Sequence, residues 1–385
     1  MNWINFLHFY QPANIDAFIV KEATEKSYYR IVRALEEHPR IKFTFNISGC
    51  LVLRWQDSGY GDIIKRIKKL INNGQVELVG SASYHPILPL IPEKEAIRQI
   101  RENENILKKF FGLKRPLGFF FPEMAHGARM AKIIKKLGYK YLILDEISYN
   151  GKLGQTDFKK IYKDRNSGLK VIFRSRKMSN DFVPKIIKKE LDKNNRDFII
   201  TATDAELYGL RYIDHGAEFE RLLNEPKIKT LTLSEFINNK APLPAALVDS
   251  NWESTERELK NKLSYALWHN KKNKLQMKIW KLAGLAYKAS KKFAGDPNYY
   301  WAEWHLVRGF SSCTFWWASG RDFREVFGPI SWGPDEIERG INEFIRSIRS
   351  LENPRSKAVK IKAEKLYNKI RQLIWNKHWK EYWKK

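Results

Sequence analysis

The sequence predicts an α/β fold, a parallel barrel of seven strands followed by an α-helical C-terminal region. From residue 2 to about 206, apolar β-rich runs alternate with amphipathic helical stretches. Helices of that length between strands are crossovers, which parallel strands require, and seven strands in one run point to a barrel rather than an open sheet. After Pro242-Leu243-Pro244 the composition shifts, and beyond about residue 254 the pattern is almost wholly helical. The division is accordingly placed at residues 1–250 and 251–385.

The elements follow in order. Residues 3–10 form an apolar strand, and residues 27–38 a helix with Ile31, Ala34 and Leu35 on one stripe. Residues 42–47 make the second strand, 63–71 a basic amphipathic helix, and 76–80 the third strand. A long helix over 93–111 follows Pro92, supported by Glu-to-Lys pairs. The fourth strand ends on Glu123. A helix over 129–137 closes at Gly138, and residues 141–145 form the fifth strand. The stretch between Glu146 and Lys170 reads as a loop or a short hairpin. Residues 171–174 and 197–203 supply the sixth and seventh strands, 216–223 a helix, and 230–234 a short extra strand. The C-terminal helices are expected over 256–267, 273–293, 299–307, 334–351 and 355–383.

Composition excludes several classes. Only Cys50 and Cys313 are present, so no disulfide framework is encoded, and neither has metal-site spacing. No run of about 18 apolar residues is available for a membrane span, and no leader is recognisable at the N-terminus, so a cytoplasmic protein is expected. The formal net charge of +27 comes largely from lysine runs at helical spacing, as in Lys65 to Lys69, Lys132 to Lys136 and Lys185 to Lys189. These read as solvated outer faces. Without a nucleic-acid motif, no specific nucleic acid partner is expected. Aromatic residues, at 14%, are abundant enough to supply sugar-stacking faces as well as core. Trp375, Trp379 and Trp383 recur every four residues, a stripe expected to face a core, with a membrane-surface or polysaccharide contact as the lesser option.

Two apolar runs stop on carboxylates. Phe119-Phe120-Phe121-Pro122-Glu123 is one, and the run through Thr203-Asp204-Ala205-Glu206 is the other. In a parallel barrel, strand C-termini converge on one mouth, so acids there read as chemistry. Two facing carboxyls are a glycosidase's equipment. The alternative is that they cap loops or pair with lysines.

The strand-end motifs together resemble glycoside hydrolase family 57, with retaining α-glucan-active enzymes built on a distorted seven-stranded (β/α)7 barrel with a helical region after it. His8-Phe9-Tyr10-Gln11-Pro12 resembles the family's first motif. Gly74 to Gly80, leading to Tyr84-His85-Pro86, resembles the second, and Phe119 to Glu123 the third. Asp204-Ala205-Glu206-Leu207-Tyr208-Gly209 resembles the fourth, and Ser311 to Ser319 with Trp316 and Trp317 the fifth. The resemblance implies Glu123 as nucleophile and Asp204 as general acid/base, about 5–5.5 Å apart as in retaining enzymes. His8 and Gln11 would bind or position the sugar, with Glu206 a hydrogen-bonding or loop-holding residue. His85 would line the cleft or hold its loop, and Glu77 is expected behind the site. Trp316 or Trp317 would stack on a sugar or pack between the two regions. His126 and His215 lie close in sequence to the catalytic candidates.

No cofactor or metal is implied, and the partner is an α-glucan oligosaccharide or polysaccharide. The chain departs from the family pattern at Cys313 and Thr314, where many members carry an Asp, and at Leu210, where a Trp often follows the glycine. Those departures bear on specificity. A metal-dependent deacetylase would need a His-x-x-x-His pair, which the eight histidines do not provide. A non-catalytic carbohydrate-binding protein on the same scaffold is the alternative.

Overall fold

The computed structural model describes residues 1–193, 197–238, 240–321 and 331–382. The chain divides into two compact units, Met1–Ser83 with Pro92–Asn261, and Tyr84–Ile91 with Lys262–Lys385.

Among the described residues the first unit carries ten strands: β1 Asn2–Phe9, β2 Phe43–Ile47, β3 Val76–Val79, β4 Gly118–Phe120, β5 Tyr141–Asp145, β6 Tyr162–Asp164, β7 Lys170–Arg174, β8 Phe198–Asp204, β9 Lys229–Thr230 and β10 Leu243–Ala245. They pair as two sheets, β3-β2-β1-β8 with β9 against the start of β1, and β10-β6-β7-β5-β4. Every pairing is parallel except β6 with β7, the short hairpin between Glu146 and Lys170. The expected closed ring of seven strands is therefore seen as two sheets, α/β in character but not closed by strand pairing. Isolated hydrogen bonds link them. Gly80 donates to Gly118 O and accepts from Phe120 N, both at 2.9 Å, and Ser175 N donates to Ile200 O at 3.0 Å.

Side chains alternate along each strand, and the two sets enter different cores. Trp3, Leu7 and Phe9 of β1, with Phe43 and Phe45 of β2, pack with helix residues such as Ile31, Leu35, Ile63 and Ile67. The other parity (Ile4 and Phe6 of β1, Phe120, Ile143, Ile172, Ile200 and Ala202) forms a second cluster shared by both sheets. Continuing that parity to the strand ends reaches His8, Asn46, Asp145, Arg174 and Asp204. The apolar core thus gives way to polar groups at one end of the strands.

Local sequence explains the other departures. The helix expected over 27–38 is entered earlier, by Ala17–Ala23 and a π-helical turn Thr24–Tyr28 before Tyr29–Glu37. The extra strand stops at Thr230, because Thr232 and Glu235 form a capping box that starts helix Leu233–Ile237. The helix expected over 256–267 ends at Lys260, with Lys262 in the left-handed region at φ 59°.

In the second unit the main helices are Lys274–Lys292, Tyr299–Gly309, Ser312–Trp316, Pro334–Arg349 and Lys357–Tyr382. Ile337, Ile341, Phe344, Ile345 and Ile348 give the fourth of these a buried face at helical spacing. Tyr84–Ile91 joins this unit through a bridge between Pro86 and Ser311. The C-terminal tryptophan stripe does not form a core face. Trp379 is 48% exposed, and Trp375 donates its indole N–H to Glu338 at 2.7 Å. Ala363, Ile370 and Ile374 are buried on that helix instead, and Trp383 lies outside the described residues. Among the described residues no helix is long and apolar enough to cross a membrane.

Candidate active site

The register of β1 sets the first part of the site. His8 lies opposite Asn46 of β2 on one side and Asp204 of β8 on the other. Its ring is buried against Phe120, with centroids 4.7 Å apart, and Nδ1 sits 2.8 Å from Asn46 Oδ1. Burial lowers its pKa to about 3 against the opposing Asn46 hydrogen bond, so the imidazole is neutral at neutral pH.

Asp204 ends β8 and is pushed up to about 7. Burial is the largest cause and the Glu206 carboxylate the next. Arg211 and Arg174 oppose the rise, and Glu253 adds to it. By area Asp204 is exposed, whereas the protein around it is as dense as around a buried group. Those two facts describe a carboxyl that reaches solvent from within densely packed surroundings. The dense surroundings set the direction, and solvent access limits the size of the shift.

Glu206 is held on both oxygens, by the Gln11 amide on Oε1 and by Arg211 Nε at 2.6 Å on Oε2. Gln11 also reaches the Tyr28 hydroxyl at 3.4 Å. Gln11 therefore holds Glu206, while Asn46 holds His8. Gly209 closes this segment with φ 150°, where a Cβ would overlap the Lys26 carbonyl oxygen. The backbone approach there requires glycine.

Glu123 follows β4 in a single turn, Pro122–Met124. Its backbone lies in the left-handed region at φ 59°, as does that of Met124 at φ 47°. Two such non-glycine residues in succession cost energy and persist only where neighbours enforce them. Trp252 is one neighbour that holds Glu123, donating its indole N–H to Glu123 Oε2 at 2.9 Å and its backbone N–H to Glu123 O at 3.2 Å.

Trp252 also joins the two halves of the site. Its ring meets the His8 ring edge-on at 6.3 Å and carries the Arg174 guanidinium 5.1 Å from its centroid. Arg174 in turn donates to Asp145 Oδ2 at 2.8 Å and Ala202 O at 2.7 Å, and Arg176 reaches Asp145 Oδ1 at 2.7 Å. The arrangement provides one carboxylate held by a hydrogen-bond donor and one carboxyl crowded toward its protonated form. That division suits covalent acid–base chemistry at an acetal carbon. Among the described residues no group of three or more His, Cys, Asp or Glu is placed to hold a metal ion.

The profile of the glycosyl hydrolase family 57 matches residues 4–245. The chain belongs to glycosyl hydrolase family 57. An alpha-amylase of Pyrococcus horikoshii is 27% identical to it over 286 residues, covering 68% of this chain and 45% of that protein. The structure of a 4-alpha-glucanotransferase from Thermococcus litoralis superposes with a TM-score of 0.71 at 19% identity, covering 91% of this chain and 60% of its own. A branching enzyme from Pyrococcus horikoshii superposes with a TM-score of 0.70 at 16% identity, covering 95% and 94%. These structural likenesses speak to the fold. The chain spans less than half the length of the curated relatives it matches.

Within this family 57 chain, the candidates His8, Gln11, Glu123, Asp204 and Glu206 belong to the first unit, and His85, Trp316 and Trp317 to the second. His85 is buried with φ 56°, its Nδ1 3.0 Å from Ser312 Oγ and its carbonyl accepting from Ser312 N at 2.9 Å. Trp316 and Trp317 are half-buried and meet edge-to-face at 4.6 Å. Glu77 accepts from Tyr141 at 2.6 Å and from Ser234. His126 is a strut, with Nδ1 3.1 Å from Val248 O, and His215 is exposed. Trp252, Arg174, Asp145 and Arg176 escaped the sequence reading. The parity of β5 and β7 would have found Asp145 and Arg174. No local signal marks Trp252, 129 residues from its partner.

Proposed function

We propose that this chain is a retaining glycoside hydrolase or glucanotransferase acting on α-glucans, with Glu123 as nucleophile and Asp204 as general acid/base. The observation that carries the reading is the contrast between the two carboxyls. Glu123 accepts an indole N–H at 2.9 Å, whereas Asp204 is pushed up to about 7. In the first step a Glu123 oxygen bonds to the anomeric carbon as the glycosidic C–O bond breaks, and Asp204 gives its proton to the departing oxygen. Ionised Asp204 then takes a proton from water or from a sugar hydroxyl. That oxygen displaces Glu123 and restores both carboxyls. The expected separation of the pair is about 5–5.5 Å.

His8 is assigned as a neutral hydrogen-bonding group for the sugar being cleaved. Gln11 and Glu206 keep a second negative charge beside Asp204. His85, Trp316 and Trp317 are assigned to the glucan path. The two sheets, joined at Gly80 and Ser175, are read as one distorted seven-stranded barrel. A cytoplasmic setting accords with two cysteines that are not joined in a disulfide.

The test is incubation of the purified protein and Glu123→Ala with maltoheptaose, followed by chromatography. Shorter products alone indicate hydrolysis, and a ladder of shorter and longer products indicates transfer. Either must vanish in the variant. Turnover that survives Glu123→Ala removes the assignment.

A further inference from the structure

On the second unit, Tyr300 and Trp301 are 65% and 50% exposed, in contrast to most large aromatics of this chain. Their rings begin a continuous series along helix Tyr299–Gly309. Tyr300 meets Trp301 at 5.1 Å, Trp301 meets Trp304 at 5.9 Å, and Trp304 meets His305 at 4.7 Å. The Arg308 guanidinium lies 3.3 Å from the Trp304 centroid and fixes that ring. His305 is buried, its Nδ1 2.6 Å from Glu343 Oε2, and it lines a cavity of about 510 Å³ with Asn342, Arg346, Arg349 and Ser350. Trp301 and His305 share one face of this helix, four residues apart, and His305 borders a polar hollow between two helices of one unit.

We infer a second saccharide-binding site here, with Trp301 as the stacking platform and His305, Asn342 and Arg346 as hydrogen-bonding groups. The ligand class, an α-glucan chain, rests on the function proposed above. Charge balance favours an uncharged polyhydroxyl ligand over a phosphate. Arg349 is held by both oxygens of Glu364 at 2.6 and 2.8 Å, and His305 by Glu343. Two of the cavity's three basic groups therefore already face a carboxylate. A lipid surface would bury aliphatic chains, whereas the hollow at His305 is lined by Asn342, Arg346, Arg349 and Ser350. A pyranose offers what the site matches, an apolar C–H face for the indole and a rim of hydroxyls for the donors.

Native affinity electrophoresis in gels with amylopectin, against gels without polymer, tests this. The wild type should be retarded. Trp301→Ala and Asn342→Ala should weaken the apparent affinity about 3- to 10-fold and turn over maltotriose at the wild-type rate. Circular dichroism melts confirm that the variants fold; Trp301 is half-exposed, so its loss leaves no large cavity. Wild-type retardation in both variants overturns the inference, as does a wild type that turns over maltoheptaose but is not retarded. Retardation lost in the variants, with no turnover by the wild type, supports this site and rejects the catalytic reading.

Discussion

The substitution Asp204→Asn removes an ionisable proton and little else, so it tests the electrostatics of the site directly. Asp204 rises from 3.8 to about 7, first through burial and then through Glu206. A raised folded-state pKa means that the folded chain holds this proton more tightly than the unfolded chain. The stabilisation is complete below 3.8 and is lost as pH rises through about 7. A shift of roughly three units corresponds to about 4 kcal/mol. Because Asp204 is open to solvent on one side, screening reduces this to about 1–2 kcal/mol. Asn mimics the protonated acid at every pH. At pH 9 the variant should therefore outlast the wild type, with a Tm about 1–4 °C higher. At pH 5 the unfolded chain is already ionised at this residue while the folded chain is not, so the gap should be smaller but still present, and it closes only below about pH 3.8. Calorimetry at pH 5 and 9 reads the difference, and maltoheptaose turnover should be lost throughout. Equal Tm values at both pH values would refute the claim that the folded protein resists ionising Asp204.

The same shift predicts that wild-type kcat/KM falls as pH rises through about 7, and that Glu206→Gln moves this limb to lower pH; a pH–rate profile of both checks it. Trp252→Phe keeps the ring but loses the bond to Glu123. It should lower kcat/KM about 10- to 100-fold, equivalent to about 1.5–3 kcal/mol, with circular dichroism unchanged. Asp145→Ala strands Arg174 and Arg176 in a buried site and should cost about 3–5 kcal/mol in guanidinium unfolding. Gly209→Ala must resolve an overlap with the Lys26 carbonyl and a disfavoured φ, and should cost more than about 1 kcal/mol by the same measurement.

The strands, the strand-end acids and most helices were legible because each rests on local periodicity. The apolar run through Phe120 has to stop before Glu123 can face solvent, and the run through Ile200 likewise before Asp204. The left-handed backbone at Glu123 was not legible, because no glycine marks it and a residue 129 positions away helps to hold it. The interrupted helix after Lys260 shows the converse. Its capping box at Thr255 and Glu258 was readable, but the left-handed turn at Lys262 was not. The paired sheets also differ from a continuous ring where glycine replaces a side chain. Gly80 and Gly118 let the rings of Tyr139 and Tyr141 press against the backbone, which periodicity cannot register.

The segment Tyr84–Ile91 has a consequence for biosynthesis. His85 and its partner Ser312 are 227 residues apart in the chain. At about 5–20 residues per second, a ribosome delivers the second some 10–45 s after the first. During that interval the segment is tethered between two parts of the first unit, without the helical unit to which it belongs. A nascent chain stalled near residue 300 should therefore be nicked by protease at these residues, and the released full-length protein should resist.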